Sequence, residues 1–189
     1  MTRQNGKRAA LLLDRDGVIN EDRGYVHRME DFAFMPGVFE LVREARQRGM
    51  AVMVVTNQSG IGRGLYSEAD FASLTGWMMD RFAEAGAPID RVYHCPYHPT
   101  AGQGQWRADH PWRKPAPGML LQAAEDFDLD LSVSAMIGDN SSDMQAAQAA
   151  GVGCRILIGL RTMAGCYNAA DLPEAKRIMA DWLDQMHDA

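Results

Sequence analysis

"LLLDRDGVIN", residues 11–20, runs an apolar segment straight into Asp14, Arg15 and Asp16. Residues Ala9–Leu13 are apolar without a break, the pattern of a short strand buried on both faces. Such a strand is covered by helices on either side, so the next element should be helical. From Pro36 to Gly49 the apolar positions Val38, Leu41, Val42 and Ala45 recur at helical spacing, with proline near the start and glycine at the stop. "MAVMVVTNQSG" is then a second buried strand ending at Thr56. A helix over 67–86 follows, with Ser67 as N-cap and Gly86 as stop.

The alternation continues. Residues 91–94 predict a third strand, and a loop rich in proline, glycine and tryptophan spans 95–117. A helix covers about 118–127, "SAMIGDN" is a fourth strand, "SSDMQAAQAAG" a helix and "CRILIGL" a fifth strand. "LPEAKRIMADWLDQM" closes as an amphipathic helix. This order predicts an α/β fold: a Rossmann-like, doubly wound, mostly parallel sheet with helices on both faces. No repeat, linker or low-complexity tract divides residues 1–189, so one domain is expected.

Composition narrows the class. The chain has 189 residues, 47% hydrophobic and 23% charged, with a formal net charge of −6. That balance fits an ordinary globular protein and argues against a nucleic-acid or anionic-membrane partner. No apolar run approaches the roughly 20 residues that span a bilayer. The positive start is followed by an apolar run that Asp14 cuts short, so no signal-peptide core forms. Cys95, Cys154 and Cys166 are odd in number and widely spaced, so a cytoplasmic protein with reduced thiols is expected. It is expected to act as a monomer.

In doubly wound sheets ligands bind beyond the carboxyl ends of the strands. Three strand ends here carry chemistry: Asp14/Asp16, Thr56/Asn57 and Asp139/Asp143. Any one of these aspartates alone reads equally well as an N-cap or a solvated loop residue. Four gathered at one sheet edge would repel one another unless a cation sits among them, and hard oxygen donors point to Mg²⁺. "VTNQSGIGRG" adds a hydroxyl, an amide and a glycine-rich turn suited to an anion. "WRKPAPGM" adds Arg113 and Lys114 as counter-charge. Arg15, between the two acids, is expected to point the opposite way in an extended chain, outside the chemistry.

"DRDGVIN", "VTNQSGIGRG", "RKPAPGM" and "GDNSSD" stand in the order of the four motifs of the haloacid dehalogenase-like (HAD) phosphatases, which the chain resembles. "LDRDGVINEDRGYVH", "FMPGV", "CPYHP" and "GDNSSDMQAAQAAGV" make it similar, over about residues 9–160, to the D,D-heptose 1,7-bisphosphate phosphatase family. The resemblance implies an Mg²⁺-dependent phosphomonoesterase that acts on a small sugar phosphate through an aspartyl-phosphate, in lipopolysaccharide or capsule heptose synthesis. It makes Asp14 the nucleophile and Asp16 the acid/base, with Thr56 and Lys114 on the phosphoryl group. Mg²⁺ would be held by Asp14, the Asp16 backbone carbonyl and Asp139, with Asp143 in support. Asn57, Arg113, Tyr25, His27 and Arg63 would hold substrate.

Two departures stand out. Many members of the family the chain resembles carry a structural zinc before the "RKP" motif, but here only Cys95 and His110 match, with Tyr97 and Trp112 in the other two places. His94, His98 and Asp109 stand nearby, yet a structural zinc is not expected, and Cys95 is read as a small buried residue. Asn140 replaces a lysine common after the motif aspartate. The segments 17–36 and 60–113 are too short or too occupied for a cap domain, so the enzyme is expected to be capless. Two other readings stay open: a phosphatase for histidinol phosphate or another small ester, and a catalytically silent phosphate-binding protein.

Overall fold

The structure is a computed structural model that describes residues 6–187. The first five residues, part of the positive start, lie outside it. Strand β1 (Ala10–Leu13) is followed by helix α1 (Val38–Gln47), β2 (Ala51–Asn57), the single turn α2 (Ser59–Gly62) and α3 (Glu68–Glu84). Then come β3 (Arg91–Cys95), α4 (Gly118–Phe127), β4 (Ala135–Gly138), α5 (Ser141–Ala149), β5 (Cys154–Ile158), β6 (Tyr167–Ala169) and α6 (Leu172–His187).

The strands form one sheet of six in the order β3-β2-β1-β4-β5-β6, and every neighbouring pair is parallel. That order reverses direction between β1 and β4, which opens the crevice where doubly wound folds bind ligands. Leu13 stands level with Val54 on one side and Ile137 on the other. The chain therefore leaves β1 at the same height as its two neighbours, and Asp14 N–H still bonds the Ile137 carbonyl at 3.1 Å.

Alternation along the strands divides the core in two. Leu11, Leu13, Val52, Val54 and Ile137 face α1, α3 and α6. Leu12, Met53, Val55 and Met136 face α4 and α5. Burying each large aliphatic side chain contributes on the order of 1.5–3 kcal/mol, so this double core fixes the sheet edge as a rigid platform. The C-terminal helix packs Leu172, Ala175, Met179 and Leu183 into the first core, so its apolar face is used within this chain. Ser67 caps α3 as expected, and Asp70 completes a capping box with it.

Sequence patterning missed β6 and α2. Tyr167–Ala169 is a three-residue edge strand with two exposed residues, so it has no apolar run to detect. Residues 14–37 hold one three-residue 3₁₀ turn and the lead into α1, and no separate domain is inserted there among the described residues.

Candidate active site

The end of β1 does not continue extended. The Arg15 carbonyl accepts N–H bonds from Val18, Ile19 and Asn20 at 2.7–3.3 Å, so the chain coils immediately after Asp14. This overturns the expectation for Arg15. Its side chain is buried and donates from one guanidinium nitrogen to both Asp16 carboxylate oxygens at 2.9 Å and to the Val26 carbonyl at 2.7 Å. Alternation holds only in a strand, and β1 has ended.

The same coil brings Gly17 against Asp139. A Cβ at position 17 would lie 2.2 Å from Asp139 Oδ2, and Gly17 has φ +82°, so only glycine lets the two loops approach this closely.

Lys114 sits at the centre. It is buried, and its Nζ contacts Asp14 Oδ1 at 2.9 Å, Asp143 Oδ1 at 2.7 Å and the Val55 carbonyl at 2.8 Å. Burial pulls its pKa down, but the Asp14 and Asp143 carboxylates outweigh that and hold the ammonium above the usual lysine value. The Arg15 N–H also bonds Asp14 Oδ1, at 2.7 Å. Both of these contacts use one oxygen of Asp14, which keeps Oδ2 for other chemistry.

The carboxylates of Asp14, Asp139 and Asp143 can bring one oxygen each within 4.8 Å of one another. Burial pushes Asp14 up to about 7, with Lys114 opposing and Asp143 adding to the rise. Burial and then Asp143 push Asp139 up to about 6. Crowded acids held away from water in this way are disfavoured as anions without a cation, and an all-oxygen set suits Mg²⁺. The residues present fit that ion. Asp143 is fully buried and gives one oxygen to Lys114 and the other to the Asn140 N–H.

Thr56 and Asn57 end β2 just past the Val55 carbonyl that accepts from Lys114 Nζ. Asn57, expected on substrate, has both side-chain polar atoms on Lys114: its amide donates to the Lys114 carbonyl at 3.0 Å and its oxygen accepts the Lys114 N–H at 3.1 Å. A cavity of about 220 Å³ adjoins, lined by Asp16, Asp22, Tyr25, Asn57, Gln58 and Tyr66 among others. At its rim the Arg63 guanidinium lies 5.5 Å from the Tyr25 ring centroid. Arg113 lies near enough to Arg63 for that charge to lower its pKa, after burial, and donates to the Tyr97 carbonyl at 3.0 Å. His27 stacks on Tyr66 with ring centroids 5.0 Å apart.

Known proteins share this pattern. A family model described as HAD-hydrolase-like matches residues 111–188. A D-glycero-alpha-D-manno-heptose-1,7-bisphosphate 7-phosphatase of Burkholderia mallei is 55% identical over 152 residues, 80% of each chain. A D-glycero-beta-D-manno-heptose-1,7-bisphosphate 7-phosphatase of Vibrio cholerae is 50% identical over 79% of this chain and 80% of that one. The chain belongs to the heptose-1,7-bisphosphate 7-phosphatase family. Among solved structures, the D,D-heptose 1,7-bisphosphate phosphatase from B. bronchiseptica, complexed with magnesium and phosphate, superposes with TM-score 0.79 at 29% identity. That match covers 92% of this chain and 99% of the other. The protein is therefore a HAD-type phosphatase.

Within this phosphatase the loop that departs from the family is packed by rings. Tyr97 stacks on His110 at 4.1 Å and 6°, while Trp106 and Trp112 meet Tyr97 and His110 edge-on. Cys95 is buried at the end of β3, and burial pushes its thiol pKa up. His94 pairs with Glu68 at 2.9 Å, and His98 accepts the Ala101 N–H at 3.0 Å. Among the described residues, Asp14, Asp139 and Asp143 are the group of three whose ligand atoms lie close enough together to hold one ion.

Sequence reasoning missed Arg15, Asn20, Gln58 and Tyr66. Asn20 and Gln58 each donate to an Asp16 oxygen at 3.0 Å. Gln58 lay inside the quoted "VTNQSG" and could have been found there. Tyr66 lies ten residues beyond β2's Thr56 and carries no local signal.

Proposed function

We propose that this chain is an Mg²⁺-dependent phosphomonoesterase that removes the 7-phosphate of D-glycero-D-manno-heptose 1,7-bisphosphate, in lipopolysaccharide or capsule heptose synthesis in the cytoplasm. The single observation that carries the reading is Asp14: a partly buried carboxylate with one oxygen fixed by Lys114, beside Asp16 and the Asp139/Asp143 pair. Among the described residues no helix is long and apolar enough to cross a membrane.

In the first step Asp14 Oδ2 attacks phosphorus, forming an aspartyl-phosphate as the ester P–O bond breaks. Asp16 gives its proton to the departing sugar oxygen. In the second step the Asp16 carboxylate takes a proton from water, whose oxygen attacks phosphorus and releases Asp14. Thr56 and Lys114 hold phosphoryl oxygens, and Lys114 stays ammonium because two carboxylates face it. Asp14, the Asp16 backbone carbonyl and Asp139 would hold Mg²⁺, with Asp143 in support through Lys114 and Asn140. Bound there, the ion supplies positive charge that offsets charge developing on the phosphoryl oxygens. Tyr25, Arg63, Arg113 and His27 form the rim that meets the sugar and its other phosphate.

The test is a phosphate-release panel with Mg²⁺, containing both anomers of the heptose bisphosphate and histidinol phosphate. The heptose esters should show the highest kcat/KM, and Asp14→Asn should abolish turnover while keeping the fold. Wild-type turnover by that variant would end the reading, and a preference for histidinol phosphate would end the substrate assignment.

A further inference from the structure

Gln58 connects the two groups that handle the leaving oxygen and the phosphoryl oxygens. Its Nε2 donates to Asp16 Oδ2 at 3.0 Å and to Thr56 Oγ1 at 2.9 Å. Its Oε1 accepts the Tyr66 hydroxyl at 2.5 Å. Gln58 and Tyr66 are 2% and 6% exposed, so water does not substitute for either contact.

A primary amide is nearly symmetric in shape, and what decides its orientation is its partners. Turned over, Gln58 would set its oxygen against the ionised Asp16 carboxylate that takes the proton from water, two acceptors facing each other. The ionised Asp16 carboxylate, which only accepts, rules this out, and the Tyr66 hydroxyl, donating to Oε1, holds the far end of the amide so aligned. Burial pushes the Tyr66 pKa up to about 12, so the hydroxyl keeps the proton it donates. The ring itself is held in a slot: a Cβ on residue 60 would come 2.1 Å from Tyr66 Cε1, so Gly60 makes the room, and His27 stacks parallel to the ring. At Thr56 the donated N–H occupies a lone pair of Oγ1, which frees the hydroxyl's own proton for a phosphoryl oxygen.

We propose that Gln58, aimed by Tyr66, is the positioning residue that holds Asp16 and Thr56 at one fixed spacing for phosphoryl transfer. The inference rests on the acid/base reading of Asp16 given above. Neither Gln58 nor Tyr66 exchanges a proton with substrate; they act through the residues they orient.

Two variants test it, Gln58→Leu and Tyr66→Phe, the second removing one oxygen from an otherwise unchanged ring. Single-turnover rates are measured on a sugar phosphate, whose alkoxide must be protonated, and on p-nitrophenyl phosphate, whose phenolate leaves without help. A positioned acid supplies roughly 10²–10⁴-fold, so Gln58→Leu should slow the sugar ester about 10- to 100-fold with KM nearly unchanged. The loss on the sugar ester should exceed that on the aryl ester by roughly tenfold, as it also should for Asp16→Asn. Tyr66→Phe should shift rates the same way but less, and the double variant should be no slower than Gln58→Leu, because Tyr66 works only through Gln58. Equal losses on both esters, or additive losses in the double variant, would overturn the inference. Full turnover by Asp14→Asn would instead overturn the reading beneath it.

Discussion

Lys114→Met is the most demanding perturbation of this site. The substitution keeps an unbranched side chain of similar length but removes the one ammonium between Asp14 and Asp143. At an effective dielectric near 20, each contact of about 2.8 Å corresponds to about 6 kcal/mol of gross attraction. The desolvation cost of burying the ions cancels most of this, and breaking a buried pair from one side destabilises by roughly 3–5 kcal/mol. For a chain of this size that is a fall in Tm of about 6–20 °C. The deficit has a sign in pH. Asp14 and Asp139 already titrate near 7 and 6 with Lys114 present, and without it both rise further. A carboxylate whose folded pKa exceeds its unfolded value binds extra protons in the folded state, so stability increases as pH falls through the folded pKa. Thermal unfolding of variant and wild type in metal-free buffer should therefore show a large gap at about pH 8 and a smaller one at about pH 5.5. Turnover should fall by on the order of 10²-fold or more at any pH. A Tm within about 2 °C of wild type at the higher pH, or a gap independent of pH, would refute the claim that Lys114 holds the acids together.

Mg²⁺ affinity, measured by calorimetry, should tighten about tenfold or more between roughly pH 5.5 and 7.5, with protons released on binding, because ions and protons compete for Asp14 and Asp139. A pH-independent affinity would place the ion elsewhere. Gly17→Ala must strain a left-handed residue and push Asp139 away, so it should cost about 1–3 kcal/mol in chemical denaturation and weaken Mg²⁺ at least tenfold. Unchanged Mg²⁺ binding would mean that Asp139 is not a ligand. Ser67→Ala should lower stability by about 1 kcal/mol through the lost cap of α3 while kcat stays at the wild-type value.

The fold was legible because its signals are local. Ala9–Leu13 and the run into Thr56 are apolar without a break, and Val38, Leu41, Val42 and Ala45 mark one helix face, so the parallel order followed from alternation. The acids were legible because a parallel sheet delivers strand ends to one edge. Arg15 was not, because its direction depends on a coil formed after the strand by three N–H groups converging on one carbonyl. Asn57 was placed correctly at the edge, but its partner, the Lys114 backbone, is 57 residues away in sequence. Tyr66 and Gln58 meet across a turn whose geometry depends on Gly60, and no periodicity encodes such a contact. The ring packing of Tyr97 on His110 is likewise a product of loop closure, not of spacing.

Asp143 carries a consequence of another kind. One oxygen closes the capping box that starts α5, and the other faces Lys114. The same carboxylate thus serves as a fold element and as part of the site's charge balance. Loss of that group by mutation leaves a helix end open and a buried cation half-paired, and the cell's proteases act on chains that unfold. A substitution that removes this carboxylate therefore weakens the fold and the site together, so loss of stability and loss of turnover should travel as one.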